Sequence, residues 1–121
     1  MKDVLSVAEK YAKDLNLPAP HYNIEIKSRP DGDRIFHPEV AEFSEKVIKV
    51  VSETVGLERV NIQSFDFRGL NYIHANHPDV PLAMLVENAA NCEEYLAELD
   101  FQPGIYSSYF LALKPEVVKS L

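Results

Sequence analysis

Hydrophobic and polar residues follow two different spacings along this chain. Over residues 2–16 the apolar side chains recur every three or four positions, which places them on one face of a helix. Residues 43–55 repeat that spacing and end at Gly56, a residue suited to a left-handed helix stop. Between them, the sequence NIEIKS at residues 23–28 alternates apolar and polar side chains, as a β-strand does. The pattern predicts short strands alternating with helices.

Four strands are predicted, at residues 23–28, 60–65, 82–87 and 104–108. Their centres are separated by 38, 22 and 21 residues, and each gap contains one predicted helix. Antiparallel neighbours need only a short turn, whereas a strand, a helix and a second strand form a parallel crossover unit. The spacing therefore predicts consecutive βα units in a parallel sheet with right-handed crossovers.

The ends of the predicted helices carry recognisable signals. Asp66 is placed to cap the third helix, and Asn91 with Glu94 is placed to cap the fourth. Pro38 suits the first turn of the second helix, and Pro115 begins the last one. These residues predict where the second, third, fourth and last helices begin.

If all the predicted helices lie on one side of the sheet, the chain cannot cover the whole sheet by itself. One sheet face and both edge strands would be uncovered, and parallel sheets are normally covered on both faces or closed into a barrel. Helices on alternate faces would give a doubly wound sheet, which the pattern leaves open. A (β/α)₈ barrel needs about 250 residues, so this chain has about half the required length.

Composition narrows the class of protein. The 121 residues are 46% apolar and 26% charged, which is typical of one globular domain, and we expect residues 1–121 to form a single domain. No apolar run approaches the ~20 residues of a membrane span. A net charge of −7 disfavours nucleic acid as a partner. The single cysteine, Cys92, leaves the redox compartment open.

The first predicted strand carries an unusual row of polar residues. Alternation puts Asn23, Glu25 and Lys27 on one face and the two isoleucines on the other. One interpretation is a solvated face with an ion pair worth about 0–1 kcal/mol. The other is a ligand site, because ligands of βα folds bind at the carboxyl ends of the strands. A carboxylate and an amine at that position could hold a cation and its anionic substrate.

Polar residues also end the other predicted strands, at Gln63, Glu87 and Tyr106. Strands that simply end at solvent would look the same. A His74-x-x-His77 pair lies on the third helix, but nothing nearby supplies further metal ligands, so surface histidines are the favoured interpretation.

These segments together resemble the middle of the glycerophosphodiester phosphodiesterase family. The resemblance runs from about Tyr11 to Val118 through NIEIKS, FHPEV, RVNIQSFDFRGL, PLAMLVEN and IYSSYF. Its most specific pieces are Glu25-Ile26-Lys27 and Gln63-Ser64-Phe65-Asp66, which lie 38 residues apart with the expected helices between and after them.

The resemblance implies an α/β fold in which the chain forms a (β/α)₄ half of a TIM-type barrel, roughly strands three to six. The family hydrolyses glycerophosphodiesters to glycerol 3-phosphate and an alcohol with a divalent cation, Mg²⁺ or Ca²⁺. Glu25 then matches a metal-ligand glutamate, Lys27 a catalytic lysine near the phosphate, and Gln63 and Ser64 residues that line the substrate pocket.

Several family motifs have no counterpart here, namely the His-Arg-Gly, E-x-D, His-Asp and Trp-Thr-Val-Asn segments of other strands. We therefore expect an incomplete metal site and negligible hydrolysis by the chain alone. We also expect a homo-oligomer that closes the half-barrel, because the lumen face and two strand edges need cover. A non-catalytic anion-binding module and a structural half-barrel are the alternatives.

Overall fold

Helices and strands alternate along the chain in the predicted order. The computed structural model describes residues 1–87 and 92–120. The elements are α1 (Lys2–Asp14), β1 (Tyr22–Glu25), α2 (Val40–Thr54), β2 (Val60–Ser64), α3 (Phe67–Asn76), β3 (Leu82–Val86), α4 (Cys92–Ala97), β4 (Ile105–Ser108) and α5 (Pro115–Ser120). Two 3₁₀ turns, Pro30–Gly32 and Phe110–Ala112, follow β1 and β4.

The described strands form one parallel sheet in the order β1-β2-β3-β4. Neighbours in the sheet are neighbours in sequence, so right-handed crossovers place every connecting helix on the same side. Glu25 pairs with Gln63, Gln63 with Ala83, and Ala83 with Ile105, so these four residues form one row across the sheet. The predicted parallel sheet of βα units is confirmed.

A single hydrophobic core lies between the sheet and its helices. Each strand contributes the residues of one alternation face to that core, and the helices contribute the opposing apolar faces. The doubly wound alternative would need a second core on the other face. The described core instead belongs to one side, as in half of a (β/α)₈ barrel. Its buried members include Ile26, Val47, Ile48, Val51, Val60, Ile62, Leu70, Ile73, Leu82, Met84 and Val86.

The first three strands and α1 end slightly before their predicted limits, whereas β4 ends at Ser108 as predicted. β1 stops at Glu25, although Ile26 N–H still donates to the carbonyl of Gln63 at 2.9 Å. The carbonyl of Ile26 accepts from the Ser64 hydroxyl at 2.8 Å, so a side chain replaces the next rung of the ladder. α2 begins at Val40, two residues after Pro38.

Two of the predicted capping signals lie within the described residues. Gly56 ends α2 with a φ of 78°, in the left-handed region where glycine is favoured. Asp66 caps α3 by accepting from the Arg68 N–H at 3.2 Å. The predicted cap at Asn91 lies outside the described residues.

A partly exposed ion pair holds α1 against the start of the sheet. Arg59, which precedes β2, donates to both carboxylate oxygens of Glu9 at 2.7 and 3.0 Å. The Tyr22 hydroxyl donates to the same carboxylate at 2.8 Å. The hydrogen bonds from Arg59, with that from Tyr22, hold the pKa of Glu9 below its ordinary value. These contacts place α1 beside β1, at one edge of the sheet.

None of the helices within residues 1–87 and 92–120 is long and apolar enough to cross a bilayer.

The Glu9 carboxylate is expected to hold α1 in place. A Glu9→Gln substitution keeps the side-chain size but removes the charge and one acceptor oxygen, so the amides of α1 should exchange with solvent faster while those of β2 and β3 remain protected. Native-state hydrogen exchange measures this difference. Glu53→Gln, at an exposed position of α2, is the matched control. Unchanged exchange in α1 would contradict the assignment.

Candidate functional site

The face of the sheet opposite the helices carries the polar residues of β1. Ile24 and Ile26 pack towards the helix-covered core, so alternation directs Glu25 and Lys27 to the other side. We call this uncovered side the open face. Lys27 Nζ lies 3.5 Å from Glu25 Oε1, which shows that both side chains reach the same surface. The Lys27 side chain is 81% exposed and that of Glu25 is 26% exposed.

Gln63 lies beside Glu25 on the same open face. It is the register partner of Glu25. Its side chain is held by a series of hydrogen bonds between side-chain amides. Asn61 Nδ2 donates to Asn23 Oδ1 at 2.7 Å, and Asn23 Nδ2 donates to Gln63 Oε1 at 3.0 Å. The Gln63 carbonyl oxygen is thereby engaged, and its amide NH₂ is the donor group that the side chain can offer to a ligand.

Ser64 lies on the opposite side of the sheet from Gln63. It is 1% exposed, and its hydroxyl donates to the Ile26 carbonyl while accepting from the Asp66 N–H at 3.0 Å. These two hydrogen bonds connect the ends of β1 and β2. The structure therefore brings Glu25, Lys27 and Gln63 to one surface, and it places Ser64 on the other side of β2.

A cluster of charged residues joins the loops that follow β1 and β2. We call it the Asp66–Arg68 clamp. Arg68 Nη2 donates to Asp66 Oδ2 at 2.8 Å, and Arg68 Nη1 donates to Asp33 Oδ2 at 2.7 Å. The Ser28 hydroxyl also donates to Asp66 Oδ2, at 2.8 Å. The sequence interpretation gave Asp66 a capping role and missed Asp33 and Arg68. These two residues pair with each other across 35 positions of the sequence, and no periodic pattern links them.

The clamp shifts the pKa of both of its carboxylates downwards. Burial alone would raise the pKa of Asp66, but the hydrogen bonds from Arg68 and Ser28 outweigh it and hold that pKa below its ordinary value. The Arg68 hydrogen bond likewise lowers the pKa of Asp33. The pKa of Arg68 is raised, chiefly by its bonds to Asp66 and Asp33. All three groups are therefore held in their charged forms.

His37 shapes the loop that borders the open face. Its Nε2 accepts from the Arg29 N–H at 3.0 Å, and its Nδ1 lies 2.8 Å from the carbonyl oxygen of Pro38, to which it donates. The ring stacks on Phe43, with centroids 5.8 Å apart. A Cβ at Gly32 would lie 2.6 Å from Nε2, so only glycine fits beside the ring. Both ring nitrogens of His37 are engaged by the backbone.

Two of the open depressions at the carboxyl ends of the strands border the candidate residues. One has a volume of about 600 Å³ and is bordered by Glu25, Lys27, His37 and Glu87, among others. The second, of about 470 Å³, is bordered by the Asp66–Arg68 clamp and also reaches Glu87. Phe65, which is 51% exposed, borders both. The predicted location of a ligand site, at the strand ends, coincides with these depressions.

The carboxylates of the described residues do not form a divalent-cation site. Mg²⁺ and Ca²⁺ take six or more oxygen ligands, usually with several carboxylates. No three His, Cys, Asp or Glu residues in the described part of the chain are grouped closely enough to hold an ion. Glu25 is paired with an ammonium group. The residues present therefore do not fit the cation.

The histidines of α3 contact different partners. His77 Nε2 lies 2.8 Å from Glu45 Oε1, which holds the pKa of Glu45 below its ordinary value. His74 stacks on Phe101 with ring centroids 4.2 Å apart. Each ring thus has its own neighbour, away from the open face.

Comparison with solved structures identifies the architecture. The chain superposes on a "putative glycerophosphoryl diester phosphodiesterase" from Silicibacter pomeroyi DSS-3 with a TM-score of 0.73 and 23% identity, covering 99% of this chain and 41% of the other. A "putative glycerophosphodiester phosphodiesterase" from Galdieria sulphuraria gives a TM-score of 0.65 and 18% identity, covering 94% and 44%. This chain thus spans less than half the length of either protein.

At these identities the comparison shows the fold. The chain is an α/β protein of four parallel strands alternating with helices, and it matches part of the barrel of these phosphodiesterase-like structures. No protein-family model matches the sequence, and the search of curated proteins gives no match.

Acid should weaken the Asp66–Arg68 clamp. Because the pKa of Asp66 is lower in the folded than in the unfolded protein, its stabilisation is complete above the unfolded value of about 4 and is lost as pH falls through the folded value. Asp66→Asn should lower the free energy of unfolding by about 1–3 kcal/mol at neutral pH and by less in acid, where the wild-type carboxyl is also neutral.

Urea denaturation near neutral pH and at about pH 2.5 tests this expectation. Asp31→Asn is the matched control, because the Asp31 side chain is 73% exposed. An Asp66→Asn effect of equal size at both pH values, or no larger than that of Asp31→Asn, would show that the clamp does not stabilise the fold.

Proposed function

We propose that the open face is one wall of a phosphodiester-binding pocket of the glycerophosphodiester phosphodiesterase type. The observation that supports this most directly is the position of Glu25 and Lys27, side by side on the uncovered face at the carboxyl end of β1. Ligands of parallel βα folds bind at this end of the strands. The fold shared with two phosphodiesterase-like structures supports phosphodiesters as the proposed class of ligand.

Each of the proposed residues has a role that follows from its chemistry. Lys27 offers an ammonium group to a phosphate, and Gln63 offers an amide N–H to a phosphate or hydroxyl oxygen. Glu25 is the carboxylate that this wall would contribute to a divalent-cation site, Mg²⁺ or Ca²⁺, in a complete barrel. It would supply only one of about six ligands.

The proposed pocket role of Ser64 is indirect. Its hydroxyl is bonded to Ile26 and Asp66 rather than directed at the open face, so it would act by fixing the ends of β1 and β2. In this way Ser64 positions the strand end that carries Glu25 and Lys27.

This chain alone is proposed to lack hydrolytic activity. Phosphodiester cleavage needs proton transfer at the attacking and the leaving oxygen. Of the histidines, only His37 borders the depression that contains Glu25, and both of its nitrogens are bonded to backbone groups. His21 precedes β1, at the other end of the strands. A homo-oligomer would have to supply any further wall of the pocket.

Hydrolysis by the isolated chain is expected to be undetectable above the uncatalysed rate. Release of glycerol 3-phosphate from a glycerophosphodiester, in the presence of Mg²⁺ or Ca²⁺, measures it directly. Metal-dependent release that disappears in Glu25→Gln would overturn the expectation of inactivity. The Glu53→Gln variant controls for unspecific effects of removing a carboxylate, because a genuine Glu25-dependent activity would persist in it.

Weak anion binding through Lys27 is the expected activity of the open face. Glycerol 3-phosphate should bind with a Kd of about 1 mM, and Lys27→Gln should weaken binding about tenfold, because the charge-assisted contact is lost. Titration calorimetry measures both values. Lys49→Gln, an exposed lysine of α2 on the helix side, should leave binding unchanged.

A structural half-barrel is the second candidate, and one observation favours it. The Lys27 side chain is largely exposed and is already paired with Glu25, as an ordinary solvated ion pair would be. If glycerol 3-phosphate produces no heat at millimolar concentration, or if Lys27→Gln binds it as well as wild type, the structural role replaces the binding role.

A further inference from the structure

The folded chain exposes more surface than its size predicts. A monomer of 13.7 kDa is expected to expose about 6,600 Å², whereas this chain exposes 7949 Å². The excess of about 1,300 Å² is larger than the roughly 800 Å² that each partner buries in a standard protein–protein interface. The chain therefore has enough uncovered surface for an extensive interface.

Part of the excess lies on α1, beside the free edge of β1. One face of this helix packs into the protein through Leu5 and Ala12. A neighbouring face is apolar and uncovered, and we call it the α1 stripe. Its large members, exposed by 53% to 71%, are Val4, Val7, Tyr11 and Leu15.

A second apolar surface follows the carboxyl end of β4, the strand at the other edge of the sheet. The segment after this strand forms a 3₁₀ turn whose large side chains are directed to solvent, and we call it the C-terminal patch. Its members are Tyr109, Phe110, Leu111 and Leu113. Monomers rarely expose large contiguous apolar patches, and here the α1 stripe and the C-terminal patch belong to segments joined to β1 and β4, the outer strands of the described sheet.

The edge of β1 has free donors in the direction away from β2. Tyr22 and Ile26 donate their N–H groups to carbonyls of the β2 segment at 2.8 and 2.9 Å. Because N–H directions alternate along a strand, the N–H groups of Asn23 and Glu25 are directed to the outer edge. This edge can accept another parallel strand without breaking a bond in the sheet.

We propose that a second copy of this chain covers these surfaces and closes an eight-stranded barrel. The edge of β1 and the α1 stripe of one copy meet the edge of β4 and the C-terminal patch of the other, and a two-fold axis along the barrel repeats this seam. This inference rests on the proposed half-barrel character of the open face and names the partner that completes it.

A second copy fits these surfaces for three reasons. All neighbouring strands of the sheet are parallel, so a new strand beside β1 keeps this arrangement only if it runs in the same direction. β4 of another copy can supply such a strand. Each apolar surface belongs to a segment joined to one of the two edge strands, so the same two-fold rotation brings the α1 stripe of either copy towards the C-terminal patch of the other. The helices of both copies then lie outside, and the two open faces form a common lumen.

The oligomeric state of the 121-residue chain tests this proposal. Light scattering and sedimentation from about 10 to about 500 µM should give a mass that rises towards twice 13.7 kDa. Val7→Glu, in the α1 stripe, and Leu111→Glu, in the C-terminal patch, should each raise the dimer dissociation constant at least tenfold. Ser6→Glu is the matched control, because Ser6 is the exposed neighbour of Val7 on another side of α1.

Both glutamate variants are expected to fold, because Val7 and Leu111 are exposed, and circular dichroism verifies this. Amide exchange adds an independent measurement. The N–H groups of Asn23 and Glu25 should become protected as the concentration rises, since they pair with β4 of the second copy. A dimer that leaves them unprotected would show that the edges are not paired and would overturn the closed barrel.

A monomeric mass over the whole concentration range would also overturn the proposal, as would a dimer unaffected by either variant. None of these measurements uses a ligand. A chain that dimerises as described but binds no glycerol 3-phosphate would refute only the proposed function. A chain that binds glycerol 3-phosphate as a monomer would refute only the closure by a second copy.

Discussion

The alternation of side chains along β1 divides this molecule into a sealed side and an uncovered side. Ile24 and Ile26 pack into the core, and this fixes Glu25 and Lys27 on the open face. The same alternation in β2 separates Ile62 from Gln63. A shift of one residue in β1 would bury a carboxylate and an ammonium among aliphatic side chains. The free-energy cost of that burial is far larger than the stabilisation that a surface ion pair provides. The core therefore determines which residues can form a site.

The Asp66–Arg68 clamp gives the loops at the strand ends a defined arrangement. Without it, the loop after β1 would be anchored mainly by His37 and its backbone contacts. Arg68 joins Asp33 of that loop to Asp66 at the start of α3, and Ser28 completes the connection from β1. Because the Arg68 guanidinium is already bonded to both carboxylates, the clamp stabilises the edge of the depressions more than it offers a cation to a ligand.

The element order was predictable because it depends on local patterns, whereas the clamp depends on contacts between distant loops. The spacing of the strands was enough to predict a parallel sheet, and the Asp66 cap followed from one residue type. Ser64 was assigned to the pocket with Gln63 by resemblance, although adjacent strand residues face opposite sides. Arg68 carried no signal, since a surface arginine at the start of a helix has many ordinary explanations.

The charge balance of the open face bears on whether two copies can share a lumen. Across a two-fold barrel, β1 of one copy would lie opposite β1 of the other, so like residues would approach each other. Lys27 and Glu25 are paired within each chain at 3.5 Å, so each copy brings a nearly neutral group. Elsewhere on the open face the exposed side chains of Phe65 and Ile105 are apolar. Burial of these apolar side chains favours closure, and it leaves the polar end of β1 as the part of the lumen where water and an anion would remain.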